Sequence, residues 1–402
     1  MNEKRKVNLK IFIEEPLSFY GGGQKTVVSL ANFMGSNGIS VSIVENTCSG
    51  SLKRVSDEEI SSTVNCRIER ECFELHGFSK YFRVLYPSME TLGKADVSMI
   101  FLRRIPPNSY LKSLFSMDSK IILCLHGIAM ERFRLTNPFI MVHQMIIRRQ
   151  LSRLAKFVKP EGNISVQFFT RNINDYLVSK GAEGQKLYAI ESGISIESAY
   201  PGRNDLFFQV VFIGRIEDLS KGIRRLRSII EKSYEDQMDV RYVIIGSGSD
   251  EKMLKNLPKN AEFLNFVDEG KKREELLKSN LMIITSNLEP FSLVAIEGLS
   301  YGIPIVTTPT SGPMSILSHY EKFGRVSTFN TKNIVSDIFF YFSLWKANKN
   351  NYYEMKCDIS GKAKLLFDES RMGEDYLRMI LGVVGRSVRD YRIVQGGKGS
   401  VL

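Results

Sequence analysis

Residues 281–308 read LMIITSNLEPFSLVAIEGLSYGIPIVTT. An apolar run leads into a polar turn, a helical segment from about Phe291 to Tyr301, the stop signal Gly302, Pro304 and a second apolar run, which together spell strand, turn, helix, strand. Glu289 falls just before that helix and Glu297 in its second turn. The free N–H groups near Phe291, Ser292, Leu293 and Val294 then face the same side as Glu297, an arrangement that suits a phosphate held beside a hydroxyl-bearing ring. A carboxylate accepts two hydrogen bonds from vicinal hydroxyls, and a ribose supplies such a pair. Two solvated surface glutamates are the plain alternative.

The same alternation recurs along the chain. VNLKIFI (7–13), ISVSIV (39–44), VSMIFL (97–102), KIILCL (120–125) and ISVQFF (164–169) precede the change of character at GISIESAYPGRNDL (193–206), and FQVVFIG (208–214), RYVIIG (241–246), LMIIT and IPIVTT (303–308) follow it. Near-continuous apolar strands separated by helical segments mean α/β with parallel sheets covered on both faces. With 402 residues the chain is too long for one ordinary core. The expected division is residues 1–195, a linker at 196–207, a second domain at 208–371 and a closing helix with a loose tail at 372–402.

At 43% hydrophobic and 25% charged the composition is that of a globular protein. No stretch reaches the roughly 18–20 apolar residues that span a bilayer, and MNEKRKVNLK opens no signal peptide, so a cytoplasmic setting is expected. Five cysteines without close pairs (Cys48, Cys66, Cys72, Cys124, Cys357) point to reduced thiols. Cys66, Cys72 and His76 do not match a zinc site. The net charge of +11 calls for an anionic partner. Between Glu131 and Pro160 seven basic residues stand against Glu131 alone, interleaved with FIMVHQMII. Residues 132–159 therefore read either as a segment that lies on the anionic inner face of a membrane or as a core helix with a solvated basic end.

Phe19 to Val28, FYGGGQKTVV, imitates a phosphate loop but has Phe19 and Gln24 where G-x-x-x-x-G-K-[ST] needs glycine. A bare-backbone turn entering a helix near Thr26 remains, with Gly22 and Gly23 free to approach an anion.

The run Glu289-Pro-Phe-Ser-Leu-Val-Ala-Ile-Glu297, with Gly-Leu-Ser-Tyr-Gly-Ile-Pro-Ile-Val after it, resembles the E-x7-E signature of the retaining glycosyltransferase family 4. Phe212-Ile-Gly-Arg-Ile216 with Lys221-Gly222 resembles its GR…KG element, and Ile244-Ile-Gly-Ser-Gly248 stands in register with both. The resemblance implies a GT-B fold, α/β with two Rossmann-like domains facing across a cleft. The implied reaction moves a sugar from a nucleoside diphosphate, UDP or GDP, to an acceptor hydroxyl on a glycan or lipid-linked acceptor, with nucleic acid not expected as a partner. Fixed cations stabilise the departing diphosphate as its charge develops. By resemblance these are Arg215 and Lys221. Glu297 binds the ribose, Glu289 and the turn through Phe291, Ser292, Leu293 and Val294 meet the sugar and diphosphate, Gly214 and Gly246 line the donor, and the base lies near Asn265 to Val267, at Phe266. Gly22 and Gly23 face the diphosphate from the first domain. His126, after KIILCL, positions a hydroxyl, although Gly127 follows where relatives often carry an acid.

No Asp-x-Asp pair is present, so no metal ligand is assigned and a metal-independent reaction without a cofactor is expected. LFDESRMGEDYLRMIL (366–381) resembles the closing helix that packs on the first domain. The competing readings are an epimerase or phosphorylase of the same fold, and a non-catalytic binder of an anionic polymer or membrane.

Overall fold

The structure, a computed structural model, describes residues 6–19, 21–47, 56, 60, 62–76, 84–132, 137–195 and 201–387. The chain divides into two units, Met1–Gly193 with Glu369–Leu402, and Ile194–Asp368. Each is α/β on a parallel sheet, as the apolar runs require.

The first unit has seven parallel strands in the order β3-β2-β1-β6-β7-β8-β9. They are β1 (Asn8–Ile13), β2 (Ser40–Asn46), β3 (Arg67–Glu71), β6 (Val97–Phe101), β7 (Lys120–Cys124), β8 (Ile164–Phe168) and β9 (Leu187–Ala189); an antiparallel pair, β4 (Glu74–His76) and β5 (Val84–Tyr86), stands apart. Ile11 pairs with Ile43 on one side and Met99 on the other. Successive residues point to opposite faces. Ile121 and Leu123 enter one core with Phe12, Leu151 and Leu154, whereas Ile122 and Cys124 enter the other with Leu9, Ile11, Val27 and Leu30. That second core is completed by helix α8 (Glu369–Val383), through Met372, Tyr376, Leu377 and Ile380. Gly373 lies against α1 (Gly22–Ser36), where a Cβ would meet the Phe33 ring at 2.4 Å.

Strand β3, RIERE, shows no apolar run because it is an edge strand held by charge. Lys10 Nζ lies 2.7 Å from Glu69 and Arg70 Nε 2.8 Å from Glu45. Helix α1 begins four residues before the expected Thr26. Gln24 explains this, since its side-chain carbonyl accepts the Gly21 N–H at 3.1 Å and closes the first turn.

The second unit has six parallel strands, β12-β11-β10-β13-β14-β15, namely β10 (Phe208–Ile213), β11 (Val240–Ile245), β12 (Ala261–Phe263), β13 (Leu281–Ile284), β14 (Ile305–Thr307) and β15 (Gly324–Val326). In chain order this is 3-2-1-4-5-6, the doubly wound arrangement. The helices used below are α2 (Pro138–Ala155) in the first unit and α3 (Ile223–Glu235), α4 (Glu269–Lys278), α5 (Leu293–Ser300), α6 (Thr331–Ala347) and α7 (Lys349–Phe367) in the second. Residues 201–206, within the expected linker, are tied to this second unit. Trp345 donates to the Asn204 carbonyl at 3.0 Å, and the buried Lys356 donates to the carbonyls of Gly202 at 2.6 Å and Ser279 at 2.8 Å. Burial pulls the Lys356 pKa down to about 7.

One expectation is corrected. Cys66, Cys124 and Cys357 are free thiols, but Cys72 is disulfide-bonded, to a partner outside the described residues. Sequence spacing could not reveal a bridge that only tertiary approach creates. Among the described residues no helix is long and apolar enough to cross a membrane.

Candidate functional site

In a doubly wound sheet the loops after the two strands flanking the order reversal diverge and leave a crevice at their C-terminal ends. In the second unit those strands are β10 and β13. The β10 loop supplies Gly214, Arg215 and, after the single turn Asp218–Lys221, Lys221 itself; the β13 loop supplies Ser286, Glu289 and Ser292.

Lys221 and Glu289, 68 residues apart, meet at 2.5 Å between Nζ and Oε2. The same carboxylate oxygen accepts the Ser286 hydroxyl at 2.8 Å. The Lys221 side chain is 21% exposed and that of Glu289 10%, so the pair is mostly withdrawn from water yet still reachable. Lys221 runs beside Gly214, its Cε 3.9 Å from where a Cβ would stand. The backbone beneath is fixed. Thr285 Oγ1 donates to the Lys221 carbonyl at 2.8 Å, while Arg225 on α3 donates to the Thr285 carbonyl at 2.6 Å and to Asn287 Oδ1 at 3.1 Å. Gly222 has φ +68°, and a Cβ there would lie 2.3 Å from the Thr285 carbonyl oxygen, so the turn that delivers Lys221 needs glycine.

Gly246 ends β11 at φ +146° and would drive a Cβ to 1.8 Å from the Gly214 carbonyl. The two glycines thus press one loop onto the next. Ser292 precedes α5 at φ +101°, a left-handed conformation for a residue with a side chain, and it stores strain at the mouth of the helix. Leu293 and Val294 open α5 and are half-buried. Phe291 is buried at 3%, so its ring belongs to the core. Arg215 is half-exposed, and its one ion-pair partner among the described residues is Glu217, at 3.9 Å. Phe266 is 62% exposed after Asn265, whose φ is +57°.

Glu297 lies on α5, and its Oε1 is 2.5 Å from Lys272 Nζ on α4. Lys272 also meets Glu269 at 2.7 Å. Sequence reading missed Lys272, Ser286 and Arg225, because KKREE reads as a solvated helix start, Ser286 reads as an ordinary polar turn residue and Arg225 as a surface helix residue.

In the first unit the order reverses between β1 and β6. Gly22 and Gly23 occupy the first turn of α1, and a Cβ at Gly23 would meet nothing within 4 Å. His126 follows β7. Its Nε2 lies 2.9 Å from both Gln167 Oε1 and the Tyr376 hydroxyl, between the rings of Phe101 and Phe169 at 4.5 and 4.4 Å. Burial pulls its pKa down to about 3, against the opposing hydrogen bond from Gln167, and keeps the imidazole neutral. Gly127 is required beside it, since a Cβ there would lie 2.7 Å from the Arg103 Cα. Beyond β1, burial raises the Glu14 pKa while Arg103 opposes the rise.

Residues 197–359 match the family described as Glycosyl transferases group 1. Over 117 residues the chain is 33% identical to an uncharacterized glycosyltransferase of Methanocaldococcus jannaschii, covering 27% of this chain and 29% of that one. Over 187 residues it is 25% identical to the gpi3 subunit of the phosphatidylinositol N-acetylglucosaminyltransferase of Schizosaccharomyces pombe, covering 43% and 41%. Each match thus spans less than half of the curated relative. The Anabaena protein HepE, solved in complex with UDP and glucose, superposes with a TM-score of 0.65 at 12% identity, over 93% of this chain and 99% of that one. The fold is GT-B.

Proposed function

We propose, from the group 1 glycosyl transferase domain at residues 197–359, that this protein is a retaining, metal-independent glycosyltransferase acting on a nucleoside-diphosphate sugar. The observation that carries the reading is the Lys221–Glu289 pair at the β10/β13 reversal, with Glu297 on the helix that follows. Lys221 stands where the diphosphate departs and neutralises charge as it develops, with Glu289 fixing its ammonium and Ser286 holding the Glu289 carboxylate. Arg215, less restrained, supplies a second cation. The C1–O bond to the diphosphate breaks, the acceptor oxygen bonds to C1 on the same face, and the hydroxyl proton passes to the departing phosphate oxygen. Retention rests on the family 4 resemblance, and metal independence on the lack of an Asp-x-Asp pair in the sequence. UDP is the first candidate because HepE is solved with it; GDP is the second.

A thermal-shift screen against UDP-, GDP-, ADP- and dTDP-sugars in chelator tests this directly. Stabilisation by one donor is expected, with Glu297→Ala weakening that donor about 10–100-fold through loss of one charged hydrogen-bonding group. A donor bound equally by the variant would remove Glu297 from the site.

An acceptor on a lipid-linked or cell-surface glycan is supported by α2. Phe139 is 76% exposed, Val142 51%, Met145 57% and Ile146 41%, on the side away from buried Ile140, Gln144, Ile147 and Leu151. No acid occurs between residues 137 and 160. An apolar outer face flanked only by cations suits the anionic cytoplasmic face of a membrane. The free thiols at Cys66, Cys124 and Cys357 suit that compartment; the disulfide at Cys72 does not. Flotation with phosphatidylglycerol-containing vesicles at low salt is expected to recover the protein. Phe139→Glu should lower the bound fraction roughly tenfold, from one lost apolar anchor. Equal recovery with neutral and anionic vesicles would sink this part of the proposal.

A further inference from the structure

We propose that Lys272 reads the sugar of the nucleotide together with Glu297, making the site selective for a ribonucleotide over its 2′-deoxy counterpart. The inference rests on the assignment of Glu297 to the donor ribose made above.

Lys272 lies in the first turn of α4, a helix whose start is set by Asp268 accepting the Lys271 N–H at 2.7 Å. Its side chain is only 14% exposed, unlike that of the adjacent Lys271 at 41%. Burial alone would lower its pKa, but Glu297 and Glu269 outweigh that and raise it, so the ammonium stays charged. An ammonium has three hydrogens to donate. One goes to Glu297 Oε1 at 2.5 Å and one to Glu269 at 2.7 Å; the third finds no partner among the described residues. Glu297 Oε2 also finds none among them, and that side chain is 24% exposed.

An open acceptor and an open donor therefore stand on neighbouring side chains. A lone hydroxyl satisfies one of them, whereas a vicinal diol satisfies both: one O–H donates to Glu297 Oε2 and the adjacent oxygen accepts from Lys272 Nζ. Removing one hydroxyl leaves a partly buried polar group unpaired, which is the strongest form of discrimination available to such a site. A helix-start ion pair of purely structural use would leave that discrimination untouched.

The test measures Kd for UDP, GDP and their 2′-deoxy counterparts on the full chain by calorimetry, carrying forward the tighter pair. The wild type is expected to prefer the ribo form by at least about tenfold. Lys272→Met should lose about tenfold on the ribo form and almost nothing on the deoxy form, so that the preference collapses. Lys272→Arg, which retains charge and donors, should keep most of it. A preference unchanged in Lys272→Met overturns the inference, as does tighter ribonucleotide binding, which would show Lys272 competing with the ribose. Should the methionine variant not fold, the same preference in Lys272→Gln, reduced but present, is the expected result, and an undiminished one overturns the proposal. If Glu297→Ala leaves every nucleotide unaffected, the assignment of Glu297 fails and this inference falls with it; if only the lysine variants are silent, Glu297 stands and Lys272 alone is wrong.

Discussion

Lys221→Ala is expected to lower the turnover number about 10²–10³-fold, the effect of removing a preorganised charge from a developing oxyanion. Glu289→Gln should act in the same direction by freeing the ammonium from its one carboxylate partner among the described residues. The geometry explains why the effect falls on turnover. Lys221 is held at both ends, its backbone by Thr285 and its Nζ by Glu289, so no reorganisation is needed when the phosphate departs. Ground-state donor binding, shared with the α5 amides and Glu297, should weaken far less. Initial rates with the donor identified by the screen, alongside nucleotide Kd, separate the two quantities. Unchanged turnover with Lys221→Ala would assign the pair to packing and leave the diphosphate to other groups. A large rise in Kd with turnover intact would make Lys221 a binding residue only.

Gly246→Ala should destabilise the second unit by about 3–5 kcal/mol, from a backbone conformation alien to alanine plus an overpacked contact. Both terms are visible at once: φ is +146°, and the added carbon would sit 1.8 Å from the Gly214 carbonyl oxygen, which is backbone and cannot swing aside. A domain of this size loses roughly 2–4 °C of Tm per kcal/mol, so a fall of about 10 °C is expected. Gly361→Ala provides a control of opposite sign. It lies inside α7 with nothing within 4 Å of its added Cβ, and alanine there should raise stability by about 0.5–1 kcal/mol. If both variants melt alike, the close approach of Gly246 to Gly214 is not a constraint. Differential scanning calorimetry resolves the two shifts.

Much of this architecture was legible because buried parallel strands must be apolar along their length. VNLKIFI, KIILCL, FQVVFIG and LMIIT each became a central strand. The strands not anticipated lie at sheet edges or outside the two sheets. In RIERE only Ile68 packs on a core while Glu69 and Arg70 pair with Lys10 and Glu45, and β9, β12 and β15 are three residues long, too short for a pattern. The site divides in the same way. Glu289 and Glu297 stood out from the strand, turn and helix around them, and Lys221 from the motif resemblance, because each lies in a contiguous stretch. Lys272 reaches Glu297 only because α4 packs where it does, and nothing in KKREE distinguishes it from the solvated Lys271 one position earlier. Phe291 shows what a motif leaves open, because its place beside Ser292 did not reveal that its ring is buried, at 3% exposure.

The first unit is discontinuous, since α8 belongs to it although the whole second unit intervenes in the chain. On the ribosome this imposes an order. The second unit emerges as one uninterrupted segment and can fold as it appears, whereas the first waits for the residues that complete its second core. Tyr376, which holds His126, is made 250 residues after it. At typical elongation rates of about 5–20 residues per second that is a delay of roughly 10–50 s, during which the second core lacks Met372, Tyr376, Leu377 and Ile380 and the Phe33 side of α1 lacks its cover.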